Sequence, residues 1–195
     1  MRTFIQVMTD CGDLAILLPI AGALTIWAMV VGRPRVFRGW LAALALCIGG
    51  TAILKIYFFA CPPLSDLHNP SGHTSLSTLV YGTLTLAVAS ATKDHRRLLV
   101  VIAGTAFIVV IGLSRIILQD HTTTEVVFGS LVGISALCVF GIAYLRNMPA
   151  KRYLAPLITV SVLFMILLNG QELRAEELLH RIATYFDIAS GCSSF

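Results

Sequence analysis

The chain has 195 residues, of which 57% are hydrophobic and 12% charged, and its formal net charge is +4. A soluble domain of this length carries about twice that charged fraction, and long apolar runs replace the amphipathic stripes such a domain needs. The composition excludes an ordinary soluble domain. The basic residues lie in short loops, with no basic patch interleaved with exposed aromatics, which argues against nucleic-acid binding.

Six apolar runs are long enough to be drawn as membrane-spanning helices, at 14–31, 39–60, 73–91, 98–118, 122–145 and 153–169. Asp10, Cys11 and Asp13 stand where a signal peptide would carry its basic region, so the first run reads as a span and not as a cleaved leader. No linker or internal repeat divides the chain. The expected fold is an all-α, polytopic membrane helix bundle, a single domain over 1–195 with its core at 39–145.

Charge sets the expected orientation. Arg33, Arg35 and Arg38 lie between the first two spans, Lys93, Arg96 and Arg97 between the third and fourth, and Arg146, Lys151 and Arg152 between the fifth and sixth. Only Asp94 accompanies them among the acids. Positive residues stay cytoplasmic, so both termini, the 61–72 loop and the 119–121 turn are expected on the outer side. In a bacterium that is the periplasmic face of the inner membrane.

Residues 170–195 differ from the rest. Leu178, Leu179, Ile182, Ala183, Phe186 and Ala189 recur at helical spacing beside Glu172, Glu176, Glu177 and Arg181. Two readings stand: a helix lying in the outer interface, or a polar tail. Cys47 and Cys138 fall inside spans and read as packing residues. Cys11, Cys61 and Cys192 fall outside, where a Cys11–Cys192 or a Cys61–Cys192 disulfide can persist.

Ionisable groups in or beside spans are costly and point to function. Five are expected at the outward ends of spans two to five: Lys55, His73, Arg115, His121 and Glu125. Taken alone, Lys55 reads most simply as a snorkelling residue, its stem buried and its amine at the interface. Asn69-Pro70-Ser71-Gly72-His73 opens a helix. Pro70 suits a first turn, Gly72 permits close backbone approach, and a helix start binds anions. The plain alternative is a turn with a capping serine. Ser114-Arg115 closes span four and His121 opens span five, with Glu125 one helical turn further on the same face. A carboxylate so placed fixes the imidazole tautomer and frees the other nitrogen as a nucleophile. Arg115 offers a planar fork for phosphate. The plain alternative is an Arg115–Glu125 ion pair.

These segments, in this order, resemble the PAP2 (type 2 phosphatidic acid phosphatase) superfamily, whose motifs read Lys-x6-Arg-Pro, Pro-Ser-Gly-His and Ser-Arg-x5-His-x3-Asp. The second is matched fully at Pro70 to His73. The third is matched except at its last position, where Glu125 replaces Asp. The first keeps Lys55 and Pro63 but has Pro62 in place of Arg. The resemblance implies that His121 attacks phosphorus to form a phosphohistidine, that Glu125 orients it, and that His73 protonates the leaving alcohol. Lys55, Ser71, Gly72 and Arg115 would hold the phosphoryl oxygens, with Ser114 and Pro70 in support. No metal or other cofactor is expected.

Both departures bear on function. Pro62 has neither a side-chain charge nor an N–H, so one phosphate fork is lost. His68 could restore some of that donor capacity, although loop hydration is its simpler role. Glu125 is longer than Asp by one methylene, where geometry tolerates little slack. The expected function is a membrane lipid phosphatase acting on a phosphomonoester or diphosphate at the periplasmic face, with a membrane lipid phosphate and the bilayer as its partners. The alternatives are a transferase moving a phosphoryl or acyl group between lipids, and a membrane protein on a degenerate enzyme scaffold.

Overall fold

The computed structural model describes residues 3–30, 33–60, 70–147 and 153–171. Among them run seven α-helices and no strand: α1 (Phe4–Asp10), α2 (Leu14–Val30), α3 (Pro34–Ala60), α4 (Gly72–Ala91), α5 (Asp94–Ile117), α6 (Thr123–Arg146) and α7 (Leu154–Leu167).

Local chemistry explains most boundaries. Proline suits the first position of α3, where its missing N–H costs nothing. Ser71 caps α4, its Oγ accepting the Thr74 N–H at 3.4 Å. Thr122 and Glu125 form a capping box at the start of α6. At its other end α5 closes in a Schellman-type turn. The Gln119 N–H donates to the Ile116 carbonyl at 3.0 Å and the Asp120 N–H to the Arg115 carbonyl at 3.1 Å. Gln119 takes the left-handed conformation that turn requires, with φ of 60°.

Helix α4 lies innermost. Two thirds (67%) of its apolar window is buried inside the bundle, against 17–28% for α3, α5 and α6. Its buried face is rich in hydroxyls, including Ser75, Ser77, Thr78 and Thr83. Helix α6 reaches it closely through Gly129 and Gly133. A Cβ at either position would overlap a backbone carbonyl of α4, that of Ser71 or of Ser75. Small residues at this spacing bring helix backbones together in a membrane. Around this centre Trp40 packs edge-on against Phe140, with ring centroids 5.7 Å apart. Outside, α3, α5 and α6 present large apolar side chains such as Ile53, Leu98, Ile102, Leu131 and Ile142. A patch that extensive suits contact with lipid rather than water.

The six expected spans are resolved differently. Four helices, α3 to α6, are long and apolar enough to cross a membrane, and α1 with α2 makes a fifth if the bent pair counts as one. Helix α7 has 14 residues, or about 21 Å at 1.5 Å per residue, short of a hydrocarbon core of roughly 30 Å. Helix α1 was not expected. It meets α2 at an angle of 46° across an elbow at Cys11–Gly12–Asp13.

Cys11 is a buried free thiol, which removes it from the expected disulfides. Cys61 and Cys192 lie outside the described residues, as do Pro62, Pro63, His68 and the interfacial helix or tail expected beyond residue 171. Cys47 is buried, as a packing residue should be, and Cys138 faces outward.

Candidate active site

The C-terminal end of α3, the start of α4, the α5–α6 turn and the α1–α2 elbow meet at one end of the bundle. Each brings an ionisable side chain. Pro70 and Ser71 are buried just before α4, and the Ser71 N–H donates to the Glu125 carbonyl at 2.9 Å. That bond ties the start of α4 to the first turn of α6. Ser71 Oγ also accepts from the Thr74 hydroxyl at 3.1 Å. The first-turn N–H groups of α4 have no carbonyl of their own helix to bond.

Lys55 is only 2% exposed. Its Cε lies 3.8 Å from where a Cβ on Gly72 would sit, so the lysine stem lies along the first turn of α4. One turn earlier, Thr51 Oγ1 and Ser75 Oγ are 3.0 Å apart and hold the same two helices together. Lys55 therefore points into the bundle end rather than snorkelling along its outside.

Arg115 ends α5. Its carbonyl accepts the N–H groups of both Asp120 and His121, at 3.1 and 3.3 Å. Its Nη1 lies 3.3 Å from Asp120 Oδ2, while its Nε is buried without a hydrogen-bond partner. The Arg115–Glu125 ion pair considered from sequence is not formed, because Asp120 takes the arginine and His121 takes the glutamate. Ser114 is buried beside it. Its Oγ donates to the Ile111 carbonyl at 2.7 Å and lies 2.8 Å from Thr9 Oγ1, tying α5 to α1.

His121 immediately precedes the cap of α6. Its Nδ1 lies 2.7 Å from Glu125 Oε2. The same oxygen accepts the Thr122 N–H at 3.1 Å, completing the capping box. Glutamate is the residue that a capping box selects at this position, so the longer arm is used and leaves no slack. The carboxylate thus holds Nδ1 and fixes the orientation of the ring. The His73 ring is the neighbour of His121, with centroids 6.3 Å apart.

Two partners went unrecognised in the sequence. Asp13 lies on the α1–α2 elbow, its Oδ2 3.3 Å from His73 Nε2. Its position directly before the first span was the available signal, and the cost of a carboxylate there marks it. Asp120, five residues after Arg115, is the other. Four of these groups thus form two imidazole–carboxylate couples, Asp13–His73 and His121–Glu125. Among the described residues no three His, Cys, Asp or Glu side chains converge as metal ligands would.

Comparison with known proteins bears on this arrangement. A family model described as "PAP2 superfamily" matches residues 60–149, a segment that contains His73, Arg115, His121 and Glu125 and leaves Asp13 and Lys55 outside. The chain is also similar to a protein of Klebsiella pneumoniae described as "Uncharacterized 22.5 kDa protein in cps region", at 27% identity over 188 residues, 92% of this chain and 90% of that one. No solved structure matches it. Similarity to that family suggests phosphatase-type activity. On the match at 60–149 and the ordered motifs within it, this segment of the chain is similar to the PAP2 superfamily.

Proposed function

We propose that the chain is a membrane lipid phosphatase that removes phosphate from a lipid phosphomonoester or diphosphate through a phosphohistidine at His121. The observation that carries this reading is the 2.7 Å contact between His121 Nδ1 and Glu125 Oε2, which orients the imidazole, with Nε2 assigned as the attacking atom. Nε2 forms a bond to phosphorus as the phosphorus–oxygen bond to the lipid breaks. His73 supplies a proton to the departing oxygen. Water then attacks phosphorus, the nitrogen–phosphorus bond breaks, and inorganic phosphate leaves. Lys55, the Arg115 guanidinium, Ser71 and the first-turn N–H groups of α4 at Gly72 hold the phosphoryl oxygens, whose charge grows in the transition state. The buried, unpartnered Nε of Arg115 fits an anion held at that point.

In this reading the chain makes six crossings of a bacterial inner membrane, with α7 and its flanking residues as the sixth. Both termini and the site then face the periplasm, as the distribution of Arg and Lys implies. No cofactor takes part. Pro62, in place of a phosphate-binding arginine, favours a second reading in which the phosphohistidine passes its phosphoryl group to a lipid alcohol rather than to water.

Phosphate release by pure protein in detergent tests the proposal, using phosphatidic acid, phosphatidylglycerophosphate, a polyprenyl diphosphate and a lipid A phosphate. Release by the wild type and none by His121→Ala is expected. No release from any of the four, or undiminished release by His121→Ala, overturns it. A phosphorylated acceptor lipid appearing in place of free phosphate selects the transferase.

A further inference from the structure

Asp13 stands outside the three motifs and outside residues 60–149. It is 7% exposed, a position where a carboxylate must be fully satisfied to persist. Its two oxygens do different work. Oδ1 accepts the Ala15 N–H at 2.8 Å and so caps α2. Oδ2 lies 3.3 Å from His73 Nε2, across 60 residues of sequence.

The elbow that carries Asp13 is pinned on three sides. The Tyr81 hydroxyl on α4 donates to the Cys11 carbonyl at 2.6 Å. Thr9 meets Ser114 on α5 at 2.8 Å. A Cβ on Gly12 would come within 2.7 Å of Ile111 Cγ2, so the backbone there lies directly against α5. A carboxylate on so constrained a turn, aimed at a histidine of the site, does more than end a helix.

The geometry points to Asp13 as a positioning residue for His73: it binds Nε2–H, fixes the ring's tautomer and orientation, and turns Nδ1 toward the leaving oxygen. The assignment rests on the phosphatase reading above. In the step it serves, the phosphorus–oxygen bond breaks and the departing oxygen takes the proton from Nδ1. The ring is left neutral, with Nε2–H still on Asp13. The water that later attacks the phosphohistidine returns a proton to Nδ1, closing the cycle. A carboxylate orienting an imidazole from behind is a recurrent arrangement in acid–base catalysis, and here it would make the α1–α2 elbow part of the active site.

Asp13→Asn separates this role from capping. Asparagine caps helices about as well as aspartate, but its single carboxamide oxygen cannot serve both Ala15 and His73. The full chain in detergent is assayed on two substrates, phosphatidic acid and a lipid nitrophenyl phosphate whose leaving group needs no proton. Asp13→Asn should lower kcat on phosphatidic acid by about tenfold to a hundredfold and on the nitrophenyl ester by less than about threefold. His73→Gln should show the same asymmetry, and the double variant should be no slower than His73→Gln alone. Wild-type turnover of phosphatidic acid by Asp13→Asn, or equal losses on both substrates, overturns the assignment. If the wild type hydrolyses neither ester, the phosphatase reading falls instead. The Asp13–His73 couple is then judged by nitrogen NMR of histidine-labelled protein. A His73 ring protonated at Nε2 in the wild type and altered in Asp13→Asn upholds the couple, and unchanged signals overturn it.

Discussion

His121 and Thr122 share one oxygen of Glu125: Oε2 lies 2.7 Å from the imidazole Nδ1 and 3.1 Å from the Thr122 N–H. The helix cap and the orienting of the proposed nucleophile are therefore one structure. Glu125→Gln keeps an oxygen for the cap and removes the charge. The protein should fold with an unchanged melting temperature while phosphate release falls by roughly 10²- to 10⁴-fold. Glu125→Asp, shorter by one methylene, cannot reach both partners and should lose about tenfold or more. Detergent-phase melting and phosphate release, measured together, check both.

Arg115 and Asp120, 3.3 Å apart, make a second prediction. Asp120 occupies one arm of the guanidinium and places a negative charge beside the proposed phosphate position. Asp120→Asn should tighten competitive inhibition by inorganic phosphate several-fold. Arg115→Ala should abolish that inhibition and slow turnover by roughly a hundredfold, the value of a charge-assisted contact of a few kcal/mol.

Lys55→Met keeps the buried stem against Gly72 and deletes the ammonium group. The helix packing should survive, as read by melting temperature. Turnover and phosphate inhibition should both fall by about a hundredfold. A full loss of fold would instead mark Lys55 as a structural ion.

Gly129→Ala pushes a methyl group into the Ser71 carbonyl, at the start of α4. It should destabilise the bundle by about 1–3 kcal/mol and reduce activity through displacement of Ser71 and Gly72. Gly22→Ala has open space around it and should leave stability unchanged or raise it by up to about 1 kcal/mol. Thermal unfolding of the two variants side by side provides the check.

The parts of the site legible in the sequence are those that depend on local geometry. His121 and Glu125 are four residues apart on a helix, so their spacing alone puts them on one face. The Pro70–His73 segment carries its own helix-start chemistry. Asp13 and His73 are joined only by the way two distant helices pack, and no periodicity announces that. Lys55 was open to a snorkelling interpretation because sequence shows the depth of a lysine but not which side of its helix faces the bundle. Helix α1 is seven residues long, too short for an apolar pattern, although the Thr3–Gln6 capping box was a readable sign of its start. The helices were located to within a few residues where runs were long, and four or five of the six expected spans are long and apolar enough to cross a membrane. The shortness of α7 was not visible, because Tyr153 and Leu168 extend the apolar run by one residue beyond each of its ends.

The hydroxyl-rich interior of α4 has a consequence for how the protein is made. Its mean hydropathy is 1.2, against 1.9 to 2.4 for α3, α5 and α6. A segment this polar gains little by entering lipid on its own. Its hydroxyls are accommodated only once neighbouring helices surround them. Helix α4 is therefore expected to leave the translocation channel together with α3 or α5 rather than singly. The helix that begins with the proposed phosphate-binding turn would be the one most dependent on its neighbours for insertion, so substitutions that weaken α3 or α5 would act first on the yield of correctly inserted protein.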